Sequence, residues 1–177
     1  MKILHVTDEL SKKNYSISSL ILYLSNYFRL TQGYSYSVLA SEIQTDVFQK
    51  NKQIEIIKFV KIKDIFDKTD NLKEIISNFD VIHIHGLWRA INLLVVFYCI
   101  QSNKNFFIHP HGMLLNPSLK NKGLLNYYFK KILLTIFNIS YGKNLNFISI
   151  TNQEIKSIFN FFPKSKNIFI PNPVTQY

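Results

Sequence analysis

Four of the five histidines fall in two short pairs, His83-Ile84-His85 and His109-Pro110-His111. Each pair closes an apolar run that reads as a β-strand. Residues two apart on a strand project to the same face, so each pair can present two imidazoles side by side. Three chemistries suit such a pair: a metal site, since imidazole is a common zinc ligand; a packed, hydrogen-bonded place in the core; or contact of the outer member with a sugar or phosphate beyond the sheet. Metal-dependent hydrolases that use His-x-His pairs also need carboxylates, and the strand ends here offer only Asp8 and Glu154. No metal is therefore expected. His83 and His109, inside their strands, are expected to be structural, and His85 and His111 to stand at the sheet edge where a ligand could sit.

The second pair carries the more specific signal, His111-Gly112-Met113-Leu114. A glycine after the histidine lets the chain turn sharply and lets main-chain N–H groups approach a ligand. A histidine there can donate a hydrogen bond to a substrate hydroxyl or a leaving phosphate. An ordinary near-neutral pKa would make both of its protonation states accessible.

These residues need elements to hold them, and the hydrophobic spacing supplies a series. Strands are predicted at 2–7, 34–40, 54–60, 80–85, 105–109, 146–150 and 167–170. Helices are predicted at 17–30, 70–78, 88–102, 123–138 and 151–159. In the first helix Ile17, Leu20, Ile21, Leu24, Tyr27 and Phe28 recur every three or four residues, and Gly33 follows in the position that helix ends favour. The last helix opens with Thr151 and Glu154, a capping-box spacing. Strands alternating with helices, several of them apolar on both faces, predict an α/β fold: a Rossmann-like parallel sheet with helices on both faces, in one domain. Ligands of such sheets bind beyond the carboxyl ends of the strands. The stretches to watch are therefore 8–16, 85–89, 109–116 and 151–154.

A chain of 177 residues, 47% of them hydrophobic, suffices for one full core. The single cysteine, Cys99, lies in an apolar run and reads as a buried, inert thiol. The first residues turn polar too early for a signal peptide, and the longest apolar run is about half of what a membrane-spanning helix needs. A cytoplasmic protein is expected. The net charge is +10, but of the 21 basic residues only Arg29 and Arg89 are arginine. A nucleic-acid reader would favour arginine for bidentate contacts, so no nucleic-acid partner is expected.

The motifs also come in a telling order. Asp80-Val81-Ile82-His83-Ile84-His85-Gly86-Leu87-Trp88, His109-Pro110-His111-Gly112-Met113-Leu114, a lysine-containing helix, Ile150-Thr151-Asn152-Gln153-Glu154 and Ile170-Pro171-Asn172-Pro173-Val174 follow an N-terminal strand. This order resembles family 4 glycosyltransferases of the GT-B fold, over essentially the whole chain. The resemblance implies the first of two Rossmann-like domains: residues 1–172 as the acceptor-side domain and 173–177 as the start of an interdomain hinge, with the donor-holding domain absent. It implies retaining transfer of a sugar from a nucleotide sugar to a glycan or lipid-linked acceptor, in polysaccharide or lipopolysaccharide biosynthesis, with no cofactor or essential metal. His111 would contact the donor sugar as the catalytic residue, and Tyr15, Ser16, His85, Trp88, Gly112, Met113 and Glu154 would line the substrate site.

Two departures from the family pattern are visible. Tyr15 and Ser16 stand where the family usually has Gly-Gly after the first strand. A non-glycine residue forced there into a left-handed conformation would cost roughly 1–2 kcal/mol, and a tyrosine would block approach to a phosphate. Pro173 replaces the usual glycine of the hinge. The isolated chain is therefore expected to lack turnover, needing a C-terminal domain in cis or in trans. The alternative is a non-catalytic Rossmann-like remnant or binding module.

Lys120, Lys122, Lys130 and Lys131 surround Leu124-Leu125-Asn126-Tyr127-Tyr128-Phe129. They could support weak docking to the anionic inner face of a membrane. The other reading makes the Leu/Tyr/Phe face core and the lysines its solvated edge.

Overall fold

Leu4, His5 and Val6 are consecutive in the first strand and all at most 2% exposed, so both faces of that strand are covered. This is the burial a parallel α/β sheet imposes on its central strands. The computed structural model describes residues 1–11, 15–44, 55–58, 69–121 and 123–171. The chain divides into two compact units, Met1–Phe106 and Phe107–Tyr177.

The first unit holds β1 (Lys2–Leu10), α1 (Tyr15–Gln32), β2 (Ser35–Ile43), β3 (Glu55–Lys58), α2 (Thr69–Ser77), β4 (Val81–His85) and α3 (Ala90–Gln101). Its strands lie in the order β3-β2-β1-β4, every pair parallel. β1 runs three residues past its predicted end, because Glu9 and Leu10 pair with Glu42 and Ile43 of an equally extended β2. Asp8 and Glu9 read as loop from their polarity alone, but ladder pairing uses main-chain groups and tolerates polar side chains. Ile17 and Ile21 of α1 pack with Leu10, Val38 and Ala40 in one buried cluster. Gly33 ends α1 at φ +63°, as its position predicts. α3 buries one broad side, with Val95, Val96 and Cys99 on it; burial pushes the Cys99 thiol up to about 12, consistent with an inert core residue.

The second unit takes in β5 (Asn105–His109, whose first residues precede the division), α4 (Asn116–Lys120), α5 (Leu124–Tyr141), β6 (Asn146–Ser149), α6 (Asn152–Phe161) and β7 (Lys166–Phe169). β6 pairs in parallel with both β5 and β7. Its core gathers Ile108, Leu119, Leu134, Phe147, Ile158 and Phe162, with the Phe147 and Phe162 rings 5.1 Å apart. The short helix α4, absent from the sequence prediction, starts with Pro117 in its first turn, where proline's missing N–H is harmless. β7 is exposed along its whole length. Pro171 is exposed; Asn172 and the hinge expected at Pro173 lie outside the described residues.

The fold class is the one predicted: a Rossmann-like α/β fold with parallel strands flanked by helices. Among the described residues, no helix is long and apolar enough to cross a membrane.

Candidate functional site

In the first unit the parallel register of β1 and β4 sets His5 against His83. His85, two residues on, faces the same way, and His5 Nδ1 lies 2.9 Å from His85 Nε2 in a buried hydrogen bond. The His83 and His85 rings are 4.1 Å apart, and the His5 ring also stacks on Tyr36 at 5.5 Å. Burial drives the His5 pKa down to about 3, so this imidazole stays neutral. His85 is only 2% exposed and its carbonyl accepts from Asn92 Nδ2 at 2.9 Å, which ties α3 to the end of β4. The expected sheet-edge placement of His85 is thus corrected: the ring is part of a buried histidine cluster. His5 escaped sequence reasoning because it stands alone in β1, and only strand pairing brings it to the others.

One ligand atom from each of His5, His83 and His85 lies within 4.8 Å of the others, so the trio could hold a metal ion. It contains no carboxylate, and two of its nitrogens already share a proton. The expectation of no metal carries over as an expectation.

Around this cluster the loop ends are tied down. Trp88 is half-buried in the bend before α3, and the neighbouring Arg89 Nε reaches Asp8 Oδ2 at 2.8 Å. Burial raises the Asp8 pKa; Arg89 opposes the rise, and Glu42 and Glu9 add to it. Tyr15 and Ser16 form the first turn of α1. Neither has a positive φ; among the described non-glycine residues only Asn103 and His111 do. The left-handed strain expected at Tyr15-Ser16 is therefore absent, because the helix starts two residues earlier than its apolar spacing suggests. Ser18 Oγ accepts from Ser11 N at 3.2 Å, joining the end of β1 to α1.

In the second unit the turn after β5 holds the unusual backbone. His111 has φ +51° and Gly112 φ +76°. Such a conformation in a non-glycine residue costs of order 1–3 kcal/mol and persists only where surrounding contacts enforce it. The enforcing contact is Glu154. Its Oε1 accepts from Gly112 N, and its Oε2 accepts from Ile150 N at 2.8 Å. Thr151 Oγ1 accepts from Glu154 N at 3.2 Å, so half of the capping box forms as predicted. The reciprocal half is redirected: the carboxylate reaches past the cap to the ends of two strands. Glu154 is 1% exposed. Both of its carboxylate oxygens are engaged with main chain, so it positions the turn, which corrects its expected place as a substrate contact.

Met113 N donates to Pro110 O at 3.1 Å and Leu115 N to Gly112 O at 3.0 Å, completing two tight turns around half-buried His111, Gly112 and Met113. The His109 and His111 rings stack at 3.7 Å. Burial lowers the His111 pKa to about 3, with a further push from His109, which burial itself lowers to about 4. The near-neutral titration expected of His111 is overturned by this desolvation. At neutral pH it is an uncharged imidazole, able to donate one hydrogen bond and accept one.

Three solved structures share the fold. A glycosyltransferase from Rickettsia africae superposes with a TM-score of 0.59 at 16% identity, over 96% of this chain and 42% of that one. HepE from Anabaena, solved in complex with UDP-glucose, gives 0.63 at 12% identity, over 98% and 44%. A putative UDP-N-acetylglucosamine 2-epimerase from Listeria monocytogenes gives 0.56 at 11% identity, over 90% and 41%. The chain has the fold of a GT-B half. No family model and no curated protein matches the sequence. The GT-B half-fold spans rather less than half the length of each of the three structures, and at these identities the likeness extends to the fold alone.

Proposed function

We propose that this chain is the acceptor-side half of a family 4 glycosyltransferase, residues 1–172, that moves a sugar with retention from a nucleotide sugar to a glycan or lipid-linked acceptor. A C-terminal domain, in cis or in trans, holds the donor. The observation that carries the reading is the strained His111-Gly112 turn, held by buried Glu154 at the carboxyl end of β5. A left-handed histidine backed by an engaged carboxylate is a device for aiming one imidazole. In this reading neutral His111 acts as the catalytic residue by bonding a hydroxyl of the donor sugar. Gly112 and Met113 follow it in the turn as substrate-lining residues, and Tyr15, Ser16 and Trp88 border the acceptor side. The reading includes a cytoplasmic place at the inner face of a membrane, approached through Lys120, Lys122, Lys130 and Lys131.

The test uses UDP-glucose and other nucleotide sugars as donors. The isolated chain is expected to release no nucleotide. Combined with the C-terminal half that this reading requires, it should turn over, and His111→Ala should lower that turnover by about a hundredfold. Donor hydrolysis by the isolated chain would overturn the dependence on a second half; a reconstituted enzyme indifferent to His111→Ala would overturn the site. A non-catalytic binding module is the second reading, favoured by Tyr15 and Ser16 in place of the Gly-Gly that would admit a phosphate. It predicts nucleotide-sugar or glycan binding with no turnover in any reconstitution.

A further inference from the structure

Parallel strands bring their first residues to one end of a sheet. In the first unit those residues are Lys2 of β1, Ser35 of β2 and Glu55 of β3, and the register sets Lys2 beside Ser35 and Ser37 beside Glu55. They line a cavity of about 760 Å³ together with Tyr34 and Asn78. That volume suits a small-molecule site. It lies at the amino ends of the strands, away from the carboxyl ends where such sheets ordinarily bind ligands. The candidate site described above uses none of these residues.

Polar groups on this cavity are held in place but not used up. Ser37 Oγ donates to Glu55 Oε2 at 2.8 Å, which fixes the carboxylate. Among the described residues no other group engages Glu55, so Oε1 keeps its acceptor capacity. The main-chain N–H of Lys2 donates to Asp80 Oδ2 at 2.7 Å, while the Lys2 ammonium and the Asn78 side-chain amide have no partner among the described residues. One cation and one carboxylate line the cavity, so it selects for neither sign of charge. An aromatic track leads to it. Tyr23 and Tyr27, one turn apart on α1, are 40% and 50% exposed, with nearly parallel rings 6.1 Å apart. Tyr27 meets Phe28 at 5.1 Å, Phe28 stacks on Tyr34 at 6.5 Å, and Tyr34 also lines the cavity.

We propose that the cavity and its tyrosine track bind a neutral glycan, with one sugar ring seated at Glu55 and Asn78 and the following rings laid against Tyr27 and Tyr23. A pyranose carries C–H groups on its faces and hydroxyls around its rim. Its faces pack on rigid aromatic rings, and its neighbouring hydroxyls bond a carboxylate and an amide. A nucleotide suits the cavity less well, because its phosphates would meet the Glu55 carboxylate with only Lys2 to offset it. An extended ligand also accounts for exposed rings that continue past the cavity. The inference rests on the transferase reading for the source of the glycan, which is the acceptor chain. It gives that chain a second hold, at the other end of the strands from Tyr15, Ser16 and Trp88.

The experiment titrates the full chain, by saturation-transfer NMR on the sugar, with linear hexasaccharides of glucose, galactose, mannose and N-acetylglucosamine and with the matching monosaccharides. At least one hexasaccharide is expected to bind, at least about fivefold more tightly than its monosaccharide, because contacts add along the track. The Tyr23→Ala/Tyr27→Ala variant should bind at least about tenfold more weakly with its Tm unchanged, since both rings are exposed. Tyr27→Phe, which keeps the ring, should bind as wild type. Glu55→Gln, which keeps an acceptor for Ser37, should weaken binding at least about threefold through loss of the charge-assisted bonds. His111→Ala should leave the affinity unchanged. The proposal is overturned if no hexasaccharide of the panel binds, if the double variant or Glu55→Gln binds as well as wild type, or if His111→Ala removes the binding. No donor is present in the titration, so glycan binding can fail while reconstituted transfer succeeds, and the two readings are told apart.

Discussion

The carboxylate of Glu154 accepts a hydrogen bond from the main-chain N–H of Gly112, forty-two residues earlier in the chain. Its second oxygen takes the N–H of Ile150. One buried side chain thereby joins the turn after β5 to the end of β6 and the start of α6.

Removing that carboxylate should be costly. Glu154→Ala leaves two main-chain donors without their acceptor, and an orphaned buried donor costs roughly 1–3 kcal/mol. A loss of about 2–4 kcal/mol is expected in urea unfolding. A loss below about 1 kcal/mol would mean that water replaces the carboxylate and that it does not hold the turn.

Gly112→Ala isolates the backbone requirement. A methyl group there meets only Leu115 Cδ1, at an ordinary 3.6 Å, but the residue stays at φ +76°. The expected cost is about 1–2 kcal/mol of stability, from conformation and not from crowding. Thermal unfolding measures it, and an unchanged Tm would show that the turn can relax to a negative φ.

Acid should unfold the protein through its histidines. Burial lowers His5 and His111 to about 3 and His109 to about 4, against about 6.5 in an unfolded chain. Below pH 6.5 or so the unfolded state therefore binds protons that the folded state refuses. Their stabilising contribution is fully present above the unfolded pKa and is lost as pH falls toward 3–4. Each histidine contributes at most about 1.4 kcal/mol per pH unit across that window. Tm should fall steadily through mild acid, and the His111 ring signals should not titrate near neutrality in NMR. A His111 that titrates near its ordinary value would contradict the desolvated site.

Metal should matter little. His5 and His85 already hydrogen-bond each other at 2.9 Å, and the trio with His83 has no carboxylate. The purified chain is expected to contain no stoichiometric zinc, and a chelator should leave Tm within about 2 °C. One bound zinc per chain, released with a large fall in Tm, would make the trio a structural metal centre.

Much of the fold was legible because it depends on local spacing. The apolar recurrence of α1 and the Thr151-Glu154 cap are written in neighbouring residues, and both appear where expected. The ends of β1 and α1 were misplaced, since strand pairing with β2 and the first helical turn rest on main-chain bonds that side-chain polarity does not report. Of the site, the sequence marked His111 and Gly112 as a turn. It could not mark His5, whose neighbours come from β4, nor the low pKa of His111, which comes from burial.

The helix α5 draws the line most clearly. By itself the sequence determined that residues near 124–141 form a helix with an apolar side, because side chains three and four apart share a face whatever surrounds them. Which way that side points was decided only by the tertiary structure. Burial depends on what other elements lie opposite, and here the core takes Leu134 and leaves the longer apolar stripe outside. The same holds for Glu154: its place beside Thr151 is local, but its grip on Gly112 exists only once β5 and β6 lie side by side.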